Sequence, residues 1–413
     1  MASEQVLSAL EISQNKATLV TGEFLNSRLN ILKTDSVEIE GVNNGYIVNQ
    51  RDVCRGLHEL IDNSSKLLGV AIKKVILLIP DFAIKRISKK VTVQVLDNDK
   101  KIKAKDIKLA IKEASASIKE EDRVLINVIA HSYYVNEVPY SEVPLGETAD
   151  ILAVGVDLFY ADRNVAYQYV MACEKVGLSI IDICLSSYTA GKEMSFFTQD
   201  EEQLSVGINL QEGYTTFGLF NGNRLIGIET SNKGYGLWLN AIVENTKLEY
   251  DKARKLCNES LQIGDYDNDS TVWYETGEKS NLTIKQGDLN KIISKPLEEW
   301  LSEVTTLCGP IAERGQVVYY LYGEACDIAG LLPVLERQLK AKVNLYVPTT
   351  IGARKSEMTA LLGAFYVYRD QAYLQDKPVS SIDIDAFNRM IANSYIKPAQ
   401  NITKKLKNLF FEK

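Results

Sequence analysis

The sequence predicts an α/β protein of two doubly wound lobes, the first interrupted by a small α+β unit. Three observations predict it. Strand, helix and strand alternate through two successive halves of the 413 residues, as open α/β sheets require. The stretches 74–81 and 180–185 are apolar without alternation, which suits strands covered on both faces. Residues 204–232 carry three strand-like runs around Gly213-Tyr-Thr-Thr and Asn221-Gly222, an antiparallel meander opening the second half.

In chain order, residues 4–12 and 16–24 pair as strands around the turn Ser13-Gln-Asn15. Gly45-Tyr-Ile-Val leads into an amphipathic helix with Val53, Leu57, Leu60, Ile61, Leu67 and Leu68 at helical spacing, followed by the strand at 74–81. Residues 82–159 change texture: strands at 91–96, 124–138 and 151–159 and a helix opening near Asp106 form an inserted unit. A helix at 164–176, the strand at 180–185 and a short helix at 187–197 lead to the meander. Helices at 234–247 and 250–260 follow, then a polar, turn-rich stretch over 261–287. Asp288 is expected to cap a long helix with Ile292, Ile293, Leu297, Trp300, Leu301 and Val304 on one side. A strand at 317–322, a helix to 340, a strand at 343–347 and a helix at 357–368 complete the body. Asp265-Tyr-Asp-Asn-Asp-Ser starts like a calcium loop, but Ser270 replaces the glycine at its sixth position and Thr276 the glutamate at its twelfth, so it reads as a solvated turn.

The expected division is a first lobe over 1–81 and 160–186, the inserted unit over 82–159, and a second lobe over 187–375 with a smaller subdomain at about 247–310. Residues 376–398, with Pro378, Ser380, Ser381 and Pro398, read as a linker to a terminal helix at 399–413. In that helix Ile402, Leu406, Leu409 and Phe410 share an arc of about 100°, with Lys404 and Lys407 opposite and Lys405 at the flank. This is the pattern of a helix lying on an anionic membrane.

Composition narrows the function classes. No apolar run approaches the roughly 20 residues that a bilayer span needs, and Met1-Ala-Ser-Glu begins no secretory signal, so a cytoplasmic protein is expected. The six cysteines form no C-x-x-C pair and read as free, buried thiols. Two histidines, His58 and His131, exclude a multi-histidine metal site, and neither sits in a nucleophile motif, so no catalytic residue is expected. Residues 397–413 carry five lysines against Glu412, a local +4 that leaves −11 of the net −7 to the rest. That acidic body disfavours nucleic acid as a partner.

The order of elements resembles the FtsA family of bacterial actin-like cell-division proteins over nearly the whole chain. The carrying residues are Gly45-Tyr-Ile-Val, the strand ending Ile79-Pro80, Arg123-Val-Leu-Ile-Asn-Val-Ile-Ala, the stretch from Val170 to Leu178, the meander, Leu331 after Gly330, and the basic amphipathic end. The resemblance implies the actin-like fold, a duplicated ribonuclease H-like unit, with a nucleotide pocket at two hairpin turns. It places Glu11 and Asn209 where the family carries aspartates, and Gln211 and Glu212 where it carries glycines, while Gly213, Thr215, Thr216 and Gly323 keep the pattern. Glu324 replaces a glycine of the adenosine loop, Ser186 a glutamate of the crossing segment, and Arg254 and Cys257 the charged pair of a helix. These departures imply that binding of ATP and Mg2+ at Glu11, Asn209, Gly213, Thr215, Thr216 and Gly323 is reduced or lost, and that the protein is no enzyme.

The function so implied is an adaptor that self-assembles head to tail and tethers filaments of FtsZ to the cytoplasmic face of the membrane at the division site. The implied partner is the FtsZ C-terminal peptide, for which Lys291 and Lys295 are one helical turn apart, though they read equally as solvated lysines. Two alternatives stay open: a nucleotide-dependent actin-like ATPase, against the lost aspartates, and a pilus-assembly adaptor of the same superfamily, against the basic tail.

Overall fold

The computed structural model describes residues 5–116, 120–194, 203–222, 224–276, 281–375 and 377–396. The residues expected to bind a membrane, Ile402, Lys404, Lys405, Leu406, Lys407, Leu409 and Phe410, therefore lie outside the described residues.

Strands β1 (Leu7–Ile12) and β2 (Lys16–Leu25) form the first hairpin, and β3 (Arg28–Glu38) joins them as a third strand that the sequence reading missed. Its half-exposed, polar-rich edge position blurs the period-two signal. A small ribbon, β4 (Val42–Asn43) with β5 (Tyr46–Ile47), precedes α1 (Gln50–Leu68). The Asn49 side chain caps α1 by accepting from the Arg51 and Asp52 amides, and Gly69 ends it at φ 76°. Leu67, expected on its apolar face, points instead to solvent at 67% exposure, one step off the stripe of Val53, Leu57, Leu60 and Leu68. Strand β6 (Lys74–Ile79) follows, buried as its apolar run requires.

The inserted unit comprises β7 (Lys85–Gln94), α2 (Ala104–Ala116), β8 (Arg123–Val135), β9 (Val138–Tyr140) and β10 (Ile151–Asp162). Its sheet runs β7-β10-β8-β9 and holds its own core with α2. The chain then returns through α3 (Arg163–Lys175), β11 (Ser179–Leu185) and α4 (Ser186–Glu193).

The meander is β12 (Leu204–Leu210), β13 (Thr215–Asn221) and β14 (Arg224–Ser231). Helices α5 (Gly236–Thr246) and α6 (Tyr250–Ser260) precede a second missed feature, the hairpin β15 (Thr271–Glu275) with β16 (Leu282–Lys285) inside the stretch expected to be only turns. Helix α7 (Gln286–Ala312) starts two residues before Asp288, which lies in its first turn, where a carboxylate suits the helix dipole, rather than at the cap. Strand β17 (Val317–Gly323), α8 (Leu331–Leu339), β18 (Val343–Leu345), α9 (Thr359–Asp370) and α10 (Ile384–Ile396) complete the described residues.

Two five-stranded sheets share one plan. The first runs β3-β2-β1-β6-β11 and the second β14-β13-β12-β17-β18, each an antiparallel meander continued by two parallel strands. In each, the hairpin between the first two strands projects a turn beside the parallel strand. These are residues 13–15 and 211–214.

Two expected boundaries change. Residues Met358, Leu361, Leu362, Phe365 and Tyr368 are buried in the first lobe's core, so the last helix of the expected 187–375 lobe belongs to the first. Residues 376–398, expected as a linker, carry α10, and Ile382 and Phe387 are buried in the same core. There the Ser381 hydroxyl accepts from the Ser8 amide at 2.7 Å and the Ser381 amide donates to Val6 carbonyl oxygen at 2.8 Å. Proline and serine signalled a tether, whereas here they lay an extended segment against β1. No helix among the described residues is long and apolar enough to cross a membrane.

Candidate functional site

The site is the cleft where the two equivalent hairpin turns meet. Glu212, 2% exposed, occupies the centre. From the first lobe's turn, Asn15 Nδ2 donates to Glu212 Oε2 at 2.9 Å and Gln14 Nε2 to Oε1 at 3.3 Å. From the second lobe, Arg254 Nε donates to Oε2 at 2.9 Å and the Tyr250 hydroxyl to Oε1 at 3.2 Å. The Tyr235 hydroxyl lies 3.3 Å from Glu212 Oε2 and 3.4 Å from Glu324 Oε2, and serves one of them at a time. A buried carboxylate needs this density of donors, because an unpaired buried charge is far costlier than an exposed one.

A second cluster lies beside it. Glu324 accepts from Ser13 Oγ at 3.0 Å and faces Lys16 Nζ at 3.4 Å, and Lys16 also bonds Glu357. The Glu324 amide is fixed by Leu210 carbonyl oxygen at 2.9 Å. Glu11 sits on β1 opposite Leu78 of β6, and burial, then the Glu324 charge, pushes its carboxyl up to about 8. Asp81, at the end of the same parallel strand, accepts from the Ser187 amide at 2.7 Å and is pushed up to about 6 by burial. The opening above is lined by Glu38, Glu40, Asp52, Glu59, Glu212 and Asp251 against only Arg55 and Arg254. An approaching polyanion meets an excess of like charge there.

The candidate residues are brought together in part. Asn209, 2% exposed, accepts from Gln211 Nε2 at 2.9 Å. Thr215 Oγ1 accepts from Trp300 Nε1 at 2.9 Å and donates to Lys233 carbonyl oxygen at 2.7 Å, and Thr216 pairs with Thr230 at 3.4 Å. Their hydroxyls are thus engaged inside the second lobe. A Cβ on Gly213 would meet Gln14 Oε1 at 2.1 Å, so glycine here admits the first lobe's side chain. Gly323, at φ +116°, donates its amide to Ser356 Oγ at 3.3 Å. Ser186 donates to Ile79 carbonyl oxygen at 3.3 Å, and Cys257 is buried. Lys291 and Lys295 are remote, exposed on α7, with Lys291 3.6 Å from Asp288.

Sequence reading missed Gln14, Asn15, Tyr235 and Tyr250, which complete Glu212's shell. It also missed the aromatic bridge in which Phe82 stacks on Tyr46 of β5 at 5.2 Å and meets Tyr214 edge-on at 5.0 Å, joining the second turn to the first lobe. Turn residues and scattered tyrosines carry no periodic signal. Among the described residues no group of three or more His, Cys, Asp or Glu could hold a metal ion.

No family model matches the chain. It is similar to the cell division protein FtsA of Bacillus subtilis, 22% identical over 392 residues, covering 92% of this chain and 87% of that protein. Five further FtsA proteins match at 19–21% identity. Among solved structures it is similar to the PilM-PilN type IV pilus biogenesis complex, with a TM-score of 0.60 at 15% identity over 89% of this chain and 98% of that one. It is also similar to MreB5 of Spiroplasma citri bound to ADP, with a TM-score of 0.50 at 10% identity over 90% of this chain and 98% of that one. Structures at such identities establish the fold, and the FtsA proteins match over 86–92% of this chain: the chain is similar to FtsA along most of its length and has the actin-like fold.

Proposed function

We propose that this chain is a cell-division protein that works as a non-hydrolysing adaptor. The division role rests on the FtsA relatives. The observation that carries the non-hydrolysing part is Glu212, whose carboxylate stands with five side-chain donors around it where the two hairpin turns meet. Donors so engaged are not offered to a phosphate, and Asn209 and Gln211 are bonded to each other rather than poised for a metal. The residues present do not fit ATP with Mg2+. Likeness to the pilus complex is one of fold and carries no function.

In this reading the adaptor binds the FtsZ C-terminal peptide through the smaller subdomain of the second lobe, with Lys291 and Lys295 facing its acidic residues. It self-associates head to tail, with residues 82–159 at a subunit or partner contact. It sits at the cytoplasmic face of the membrane through Ile402, Lys404, Lys405, Leu406, Lys407, Leu409 and Phe410. Each lysine near an anionic surface contributes about 1 kcal/mol, so single tails bind reversibly and an assembly presenting many binds tightly. Vesicle flotation tests it: the full chain should float with anionic vesicles and a chain ending at 398 should not. Equal flotation of the two would overturn the tether.

A further inference from the structure

We propose that Asp157, Arg86 and Arg224 form a latch through which the second lobe sets the orientation of the inserted unit. Asp157 lies in the middle of β10, 1% exposed. Arg224, the first residue of β14 in the second lobe, grips it in two-pronged fashion, Nε to Oδ2 at 2.6 Å and a terminal nitrogen to Oδ1 at 2.8 Å, and the same nitrogen donates to Ser88 Oγ at 2.7 Å. Arg86 of β7 crosses in the opposite sense. One of its terminal nitrogens lies 2.9 Å from Asp157 Oδ1, and the other donates to Ile226 carbonyl oxygen on β14 at 3.2 Å. Each unit therefore extends an arginine into the other, and the one carboxylate holds both.

Local backbone builds this arrangement. The register of β10 on β8 slips between Gly155 and Val156, leaving His131 as the extra residue of a bulge. A Cβ at 155 would meet Ser132 Oγ at 2.2 Å and His131 Cε1 at 2.7 Å, so any side chain at 155 would displace these two. It brings His131 Nε2 to 3.8 Å from Asp157 Oδ2. Burial, reinforced by the two arginines and opposed by Asp157, holds this imidazole below its ordinary pKa, so it adds no third positive charge at neutral pH.

The charge balance makes the two sides unequal. Removing Asp157 leaves two arginines facing each other, whereas removing Arg224 leaves an intact Arg86–Asp157 pair. The inserted unit has a second anchor on the first lobe: Asn127, 3% exposed, donates to Ile183 carbonyl oxygen at 3.2 Å and accepts from the Leu185 amide at 2.9 Å. With both anchors closed, movement of the second lobe against the first must carry the inserted unit or break the latch. This does not depend on what the cleft binds.

The test compares the full chain with Arg224→Ala, Arg86→Ala and the double variant by native-state hydrogen exchange. In Arg224→Ala, exchange across 85–94 and 224–231 should quicken by about tenfold while β1 and β6 keep wild-type rates, as a ruptured charge network predicts. The double variant, which leaves Asp157 buried without a counter-charge, should loosen these segments by more than the product of the two single effects. Spin labels at Leu96→Cys and Tyr274→Cys in a Cys54→Ser background should give a broader distance distribution with Arg224→Ala. Should Arg224→Ala fail to fold, Arg224→Lys keeps the charge and stem without the two-pronged geometry and is read the same way. Unchanged exchange in both segments, strictly multiplicative effects, or an unchanged distance distribution would each overturn the latch.

Discussion

Two buried carboxylates tie the second lobe to the rest of the molecule, and they are built differently. Asp157 is held by two arginines and sits on a strand, far from any turn. Glu212 is held by one arginine and four neutral donors, and sits on a hairpin turn. An ion pair with excess positive charge resists loss of its acid. A cage of mostly neutral donors tolerates it better, because water entering the open cleft can replace an acid among amides and hydroxyls, and Arg254 keeps its second partner Asp251 at 2.7 Å. Asp157 braces the second lobe against the inserted unit, and Glu212 ties together the two turns that line the cleft.

The comparison sets an order of effects. Asp157→Ala should be the most damaging, destabilising by about 3–5 kcal/mol because two half-buried arginines lose their counter-charge. Glu212→Ala should cost about 1–3 kcal/mol, at the scale of unsatisfied buried donors, since the cleft above it admits water. Chemical denaturation of both variants checks the ranking, and a larger loss for Glu212→Ala would reverse the picture of a tight latch and a softer cleft.

Glu11 sharpens the cleft side. The native state keeps its proton up to about 8, whereas the unfolded chain releases it near the ordinary 4.5. The native state thus binds more protons within that window, and this carboxyl's contribution to stability falls as pH rises through it. Glu11→Gln should flatten that decline and raise Tm at pH 9 by roughly 2–4 °C, the shift of ~1 kcal/mol in a large domain. An identical Tm profile from pH 5 to 9 would remove Glu11 from the account. Smallest of all, Lys291→Ala with Lys295→Ala on the exposed face of α7 should change stability by less than about 0.5 kcal/mol while weakening capture of the FtsZ C-terminal peptide. Undiminished capture would move the peptide site elsewhere.

Much of the fold was legible because it is written in periodicity. The apolar run of β6, the stripe of α1 and the turns of the β12–β14 meander each state their structure locally. What stayed hidden depends on distant partners. Strand β3 has its polar-rich face at a sheet edge, so its pattern reads as a loop. Segment 379–383 looks like a tether until Ser380 and Ser381 are seen bonded along β1. At the site, the sequence singled out Asn209, Gln211 and Glu212 through the resemblance to a turn that carries an acid and glycines. That Glu212 is the centre of a shell was not, since Gln14, Asn15, Tyr235, Tyr250 and Arg254 come from three separated stretches.

We propose that Glu212 engages the donors of this cleft so that it takes no nucleotide. Isothermal titration of the full chain with ATP and Mg2+ tests it most directly. The account predicts no saturable heat at ligand concentrations up to the millimolar range, and a micromolar dissociation constant would contradict it.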